Sequence, residues 1–318
     1  MDVLNTRPLP LAEWLSIVER EYLSAFVPAG GAAVKFAILD DAAVSATAEH
    51  LVRLGRAHAM FTVSVDAGRT RVHLMHELFF AVSRTLPWDS LVQRYLEGLF
   101  GAHDYAWPRR GEAMVVAELA SAFAVAPNLL ARRVDQWLTA DLWEDRRLVQ
   151  DFRAALLSLC LSRLEPETWE TAGSVVQWLR GEKVAPAALR AADISVRLSR
   201  TNARAMLASL CHFLRKAGVA GLFLVLDVRR LSSPSAAEGV QRYSPAAVMD
   251  AYEVLREIID DAEQLPGLFV TVLASEALAI GDPHRALGQY AALQMRVWPD
   301  VRPGDRQNPM APLVWLAP

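Results

Sequence analysis

Only two cysteines occur in the 318 residues, Cys160 and Cys211, far apart and each inside an apolar helical pattern. That is too few for a disulfide framework or a cysteine-based metal site, and it fits a reduced interior. No apolar run approaches the roughly 18 residues of a membrane span. Asp2 and Glu13 stand where an export signal would carry a basic stretch followed by a greasy one. A soluble, cytoplasmic protein is expected. Positive charge is not in excess either: the net charge of −3 argues against broad attraction to nucleic acid or anionic lipid. Arginine pairs at 109–110, 132–133, 146–147 and 229–230 are the local exceptions, and most are interleaved with acids, as solvated helix faces are. What is present is apolar mass. At 53% hydrophobic and 22% charged, the chain can bury a large core, in one α/β domain or two.

The organising stretch is Gly221 to Val228. Its unbroken apolar run from Leu222 to Leu226 reads as a strand buried on both faces of a parallel sheet, and it ends on Asp227. Open α/β sheets bind ligands beyond the carboxyl ends of their strands. In a P-loop NTPase an aspartate there serves Mg²⁺ and is commonly followed by a glutamate that polarises water. Here the next residue is Val228.

An earlier strand, Ala32 to Leu39, runs into a helix over Ala43 to Leu54, the place for a glycine-rich phosphate loop. Laid over G-x-x-x-x-G-K-[ST], the chain offers Asp40-Asp41-Ala42-Ala43-Val44-Ser45-Ala46-Thr47. Asp40 and Ser45 replace the glycines that let backbone N–H groups close on phosphate, Ala46 replaces the lysine, and only Thr47 keeps its type. Two carboxylates at a helix start suit the dipole by themselves and would repel a phosphate. A well-capped helix without any phosphate role is the other reading that this segment leaves open.

Alternation continues with a strand at Ala59 to Asp66 and a helix at Val72 to Arg84, whose His73-Leu-Met-His76-Glu77 has neither zinc-protease order. Helical periodicity then takes over from Trp88 to about Trp178, a stretch holding six of the nine tryptophans, read as core before interface. Leu179 to Lys183 reads as a turn, Ala203 to Ala217 as an amphipathic helix stopped by Gly218, and Ser232 to Ser235 as a mobile loop. Ser244-Pro245 opens another helix, Leu268 to Ala274 is a further buried strand ending at Ser275, and a helix is expected over Ala286 to Trp298 before a last apolar run from Ala311 to Ala317. The expected division is 1–87 for the first half of an α/β core, 88–180 for a helical insertion and 181–318 for the second half.

Taken together, Glu13 to Leu23, Gly30 to Phe36, Leu179 to Lys183, Thr201 to Leu207, Gly221 to Asp227 and Gln289 to Arg296 resemble the P-loop ATP-binding proteins of BREX-type phage-defence systems. The resemblance implies an AAA+-like (ASCE) parallel sheet flanked by helices, binding of ATP with Mg²⁺, and work within a multi-protein defence system. It would place the phosphate-binding lysine on Ala46, loop glycines on Asp40 and Ser45, and the catalytic glutamate on Val228. Thr47 and Asp227 carry over as Mg²⁺-side residues, and Arg296 as one facing a neighbouring subunit's nucleotide. The expectation is a P-loop homologue without catalytic residues, metal site or bound nucleotide, serving as scaffold or partner to an active ATPase or another defence subunit. An unorthodox ATPase using Lys35 or Arg200, with ATP and Mg²⁺ as cofactors, is the alternative. A nucleic-acid-binding subunit using an arginine pair is another, with DNA reached through the complex.

Overall fold

The computed structural model describes residues 7–165, 169–233, 240–298 and 307–317. In chain order, a two-residue strand β1 (Leu9–Pro10) leads into helix α1 (Leu11–Ile17), which continues as π-helix over Val18–Phe26. Then come β2 (Ala33–Ile38), α2 (Asp41–Ala57), β3 (Phe61–Asp66) and α3 (Met75–Thr85). Seven helices follow: α4 (Trp88–Ala102), α5 (Val116–Ala122), α6 (Pro127–Leu138), α7 (Gln150–Leu164), α8 (Trp169–Leu179), α9 (Pro186–Ala191) and α10 (Ala203–Lys216). The sheet resumes with β4 (Leu222–Asp227), the single turn α11 (Arg229–Ser232), α12 (Pro245–Asp260), β5 (Leu268–Ala274), α13 (Ala277–Ile280), α14 (Ala291–Val297) and β6 (Leu313–Ala317). No described helix is long and apolar enough to cross a membrane.

Two compact units result. Unit 1 takes residues up to Leu78 and from Val219 onward, and unit 2 takes Phe79–Gly218. Residues 181–218, expected with the second half of the core, group with the helical unit. The Ser232 to Ser235 stretch begins as the last residue of α11, and its residues 234 and 235 lie outside the described residues.

Unit 1 is built on six parallel strands in the order β1-β6-β2-β5-β4-β3, an α/β P-loop NTPase-like fold. Two adjacent interior strands carry the continuous apolar runs: every residue of β5 is buried, and β4 is buried from Leu222 to Leu226. Each Leu, Val or Phe among them contributes about 1.5–3 kcal/mol of transfer free energy. The edge strand β3 instead alternates, with Val63 and Val65 buried and Ser64 and Asp66 exposed. Strand pleating sends Phe223, Val225 and Asp227 to one face of the sheet. There Phe223 and Val225 join Phe269 in a core with Trp14 of α1, Tyr22 of its π-helical continuation, and Val44 and Leu51 of α2. Helix α2 lies so close that a Cβ on Gly55 would stand 2.4 Å from Thr62 Oγ1 and 2.6 Å from Phe223. The same face therefore receives the start of α2 and the carboxylate of Asp227.

Unit 2 closes around aromatic side chains. Trp88 stacks on Phe213, and Phe152 meets both at an angle. A second group joins Phe100, Trp107 and Trp137. Trp88, Trp107 and Trp178 are buried, whereas Trp143 is 38% exposed. After α8 the chain turns at Gly181, whose φ of 77° suits a residue without Cβ.

Candidate functional site

At the carboxyl ends of β3, β4 and β5 lies a cavity of about 500 Å³. Its wall includes Asp41 at the start of α2, Asp66 at the end of β3 with Gly68 beyond it, Asp227 at the end of β4 with Arg229 and Arg230 beyond it, and Ser275 after β5. Parallel register sets Asp66 directly beside Asp227. Neighbouring strands lie about 4.8 Å apart, so two carboxylates emerge side by side on one face.

Arg229 answers that charge. Its backbone N–H donates to Asp227 Oδ1 at 3.1 Å, and its side chain folds back onto the same group. Nε donates to Oδ1 at 3.1 Å and Oδ2 at 3.2 Å, and Nη2 donates to Oδ2 at 2.6 Å, so both carboxylate oxygens are engaged. Nη1 reaches across to the Asp41 carbonyl at 2.7 Å. The hydrogen bond to Asp227, with the charges of Asp227, Asp41 and Asp66, holds the guanidinium pKa above its ordinary value against the opposing effect of burial. Asp66 turns its Oδ1 to the Gly68 N–H at 2.6 Å, and Arg230 donates to the Gln241 carbonyl at 3.1 Å. Val228 is buried, its N–H spent on the Leu273 carbonyl.

Of the nucleotide and Mg²⁺ positions expected from sequence, Asp227 lies in this wall, whereas Asp40, Ser45, Thr47 and Arg296 do not line it; Asp41 and Ser275, also marked in the sequence, do. Strand β2 ends at Ile38 and α2 begins at Asp41, so only Leu39 and Asp40 connect them. Asp40 is exposed at the helix N-cap and makes no side-chain capping bond. Ser45 is exposed in the second turn, and Thr47 points into the core with its hydroxyl unpaired. Arg296 forks onto Asp260 of α12, with Nε to Oδ1 at 2.5 Å and Nη2 to Oδ2 at 2.9 Å. Lys35 is buried on the α1 face of β2. Its amine donates to the carbonyls of Met310 and Ala311 and lies 4.9 Å from the Tyr22 ring centre, and burial lowers its pKa to about 8. Arg200 belongs to unit 2. Among the described residues no group of three or more His, Cys, Asp and Glu is placed to hold a metal ion.

The residues that sequence reasoning passed over are Arg229, taken for part of a solvated arginine pair, and Asp66. Both left a trace: an Asp-x-Arg following a buried strand, and two strands that each close on aspartate.

Compared with known proteins, the chain matches the sequence model of a family described as BREX system ATP-binding protein BrxC/D, over residues 114–318. That range holds β4, β5 and β6 and begins after the β2–α2 connection. No curated protein and no solved structure matches.

Proposed function

The chain belongs to the family of BREX system ATP-binding proteins, and from that premise we propose that it serves its defence system as a partner subunit that neither holds Mg–ATP at the sheet edge nor hydrolyses it. The observation that carries this reading is the Asp227–Arg229 pair. Phosphoryl-transfer sites keep their strand-end carboxylate for Mg²⁺, whereas here an internal guanidinium takes both oxygens. The junction of β2 and α2 supports it. Two residues cannot wrap a chain of backbone N–H groups around phosphates, and Asp40, Ser45 and Ala46 stand where the family would hold two glycines and the lysine. A nucleotide phosphate entering the cavity would meet Asp41, Asp66 and Asp227 beside two arginines already engaged, Arg229 by Asp227 and Arg230 by the Gln241 carbonyl, and juxtaposed like charges oppose binding. Lys35 does not fill the gap, because its amine is committed to the Met310 and Ala311 carbonyls.

The scaffold reading sends the search for function to protein partners, an active ATPase of the same system foremost. Calorimetric titration of the purified chain with ATP and Mg²⁺ tests it. No binding is expected up to millimolar nucleotide. Saturable binding in the micromolar range, or Mg²⁺-dependent turnover that Asp227→Ala abolishes, would overturn it.

A further inference from the structure

Unit 2 ends in a basic stretch: from Arg180 to Lys216 there are eight Lys and Arg against two Asp and Glu. Three of these cations, Lys183, Arg190 and Arg197, rim a groove of about 570 Å³ between the end of α8 and the loop after α9. Trp178, Leu189 and Ile194 make its floor, Val196 forms part of a wall, and Glu182 is the one acid in the lining. The volume lies within the range of about 300–1,000 Å³ typical of ligand pockets.

The walls are fixed before any partner arrives. Trp178 Nε1 donates to the Val196 carbonyl at 3.2 Å, tying floor to wall. Asp151 Oδ1 accepts from the Ser195 N–H at 2.8 Å, the Ser195 hydroxyl at 3.2 Å and the Val196 N–H at 3.3 Å. These bonds engage the Ser195 N–H and both backbone polar groups of Val196, and Val196 stays 41% exposed. A preformed groove loses less entropy on binding.

Charge selects the occupant. Lys183, Arg190 and Arg197 are exposed, and among the described residues none of them forms an ion pair. Three like charges around one apolar floor repel each other, and flanking carboxylates would relieve that repulsion. We propose that this groove docks an acidic segment of a partner protein, which inserts aliphatic or aromatic side chains between Asp or Glu residues that meet the rim. Nucleic acid fits less well. The single aromatic ring of the groove, Trp178, is 4% exposed with its N–H spent, so it offers bases no stacking face.

Panning a random peptide phage library against the full chain tests this, with Arg190→Glu/Arg197→Glu as counter-selection. Sequences that pair Leu, Ile or Phe with Asp or Glu should be enriched on the wild type and lost on the variant. By fluorescence anisotropy, a selected peptide should bind about tenfold more weakly to that variant and weaken further as salt rises from ~50 to ~300 mM. Val196→Ser should weaken it several-fold with the melting temperature unchanged. Enrichment of basic or uncharged peptides, no enrichment, or equal binding to the charge-reversed chain would overturn the proposal. So would a fluorescent single-stranded oligonucleotide that binds where peptides do not and is lost on the same variant.

Discussion

Replacing Arg229 by alanine removes the counter-charge of Asp227 and the link to the Asp41 carbonyl in one step. Four side-chain hydrogen bonds disappear. A bond to a charged group contributes about 1.5–3 kcal/mol on its own. The Arg229 and Asp227 side chains keep 29% and 17% exposure, however, so water replaces part of what is lost, and bonds to one guanidinium do not add. A net loss of about 2–3 kcal/mol is expected, because Asp227 is left beside Asp66 with no cation between them. Asp227→Ala should cost about 1 kcal/mol less, since Arg229 still faces Asp41 and Asp66. The double variant should then be more stable than the sum of the singles by about 1–2 kcal/mol. Differential scanning calorimetry of the four proteins measures this, at about 2–4 °C per kcal/mol for a unit of this size. A coupling below about 0.5 kcal/mol, the ordinary error of additivity, would refute the reasoning. Asp227 would then be a hydrated carboxylate open to a cation, and the case against Mg–ATP would lose its main support.

Two further predictions concern the core of unit 1. Lys35 has a folded-state pKa near 8, below its unfolded value of 10.5, so between those pH values the unfolded chain binds the proton and the folded chain does not. Stability should therefore rise with pH across that window, by about 1–3 kcal/mol from this group, and Lys35→Met should flatten the rise in pH-dependent urea denaturation; parallel slopes would count against the burial of the amine. Gly55→Ala places a methyl against Thr62 and Phe223, and a loss of about 1–3 kcal/mol is expected from overpacking. An unchanged melting temperature would mean that α2 is free to move off the sheet.

The parallel sheet was legible because burial on both faces writes itself as uninterrupted apolar runs. β5 spans the Leu268 to Ala274 read from sequence, and β4 ends on the aspartate expected to close it. The start of the helix after β2 was legible only to within two residues: it is expected from Ala43, whereas α2 opens at Asp41 and leaves Leu39 and Asp40 as the whole connection from β2, a boundary that apolar periodicity does not mark. Asp66 becomes a neighbour of Asp227 only through strand order, since 161 positions of sequence separate them. Arg296 meets Asp260 across 36 residues, which no local pattern encodes. Arg229 sits two residues from its partner, yet only the helical turn after β4 decides that its side chain doubles back instead of reaching into solvent.

That doubling back gives Asp227 a counter-ion attached to the same chain. A dissolved cation arrives and leaves with its concentration, whereas a group tethered two residues away acts at the effective molarity of an intramolecular partner. The charge at the carboxyl ends of β3 and β4 is thereby set by the chain itself and not by the supply of Mg²⁺. On the proposed reading as a partner subunit, this site would keep one charge state while the nucleotide cycle of an active ATPase beside it runs.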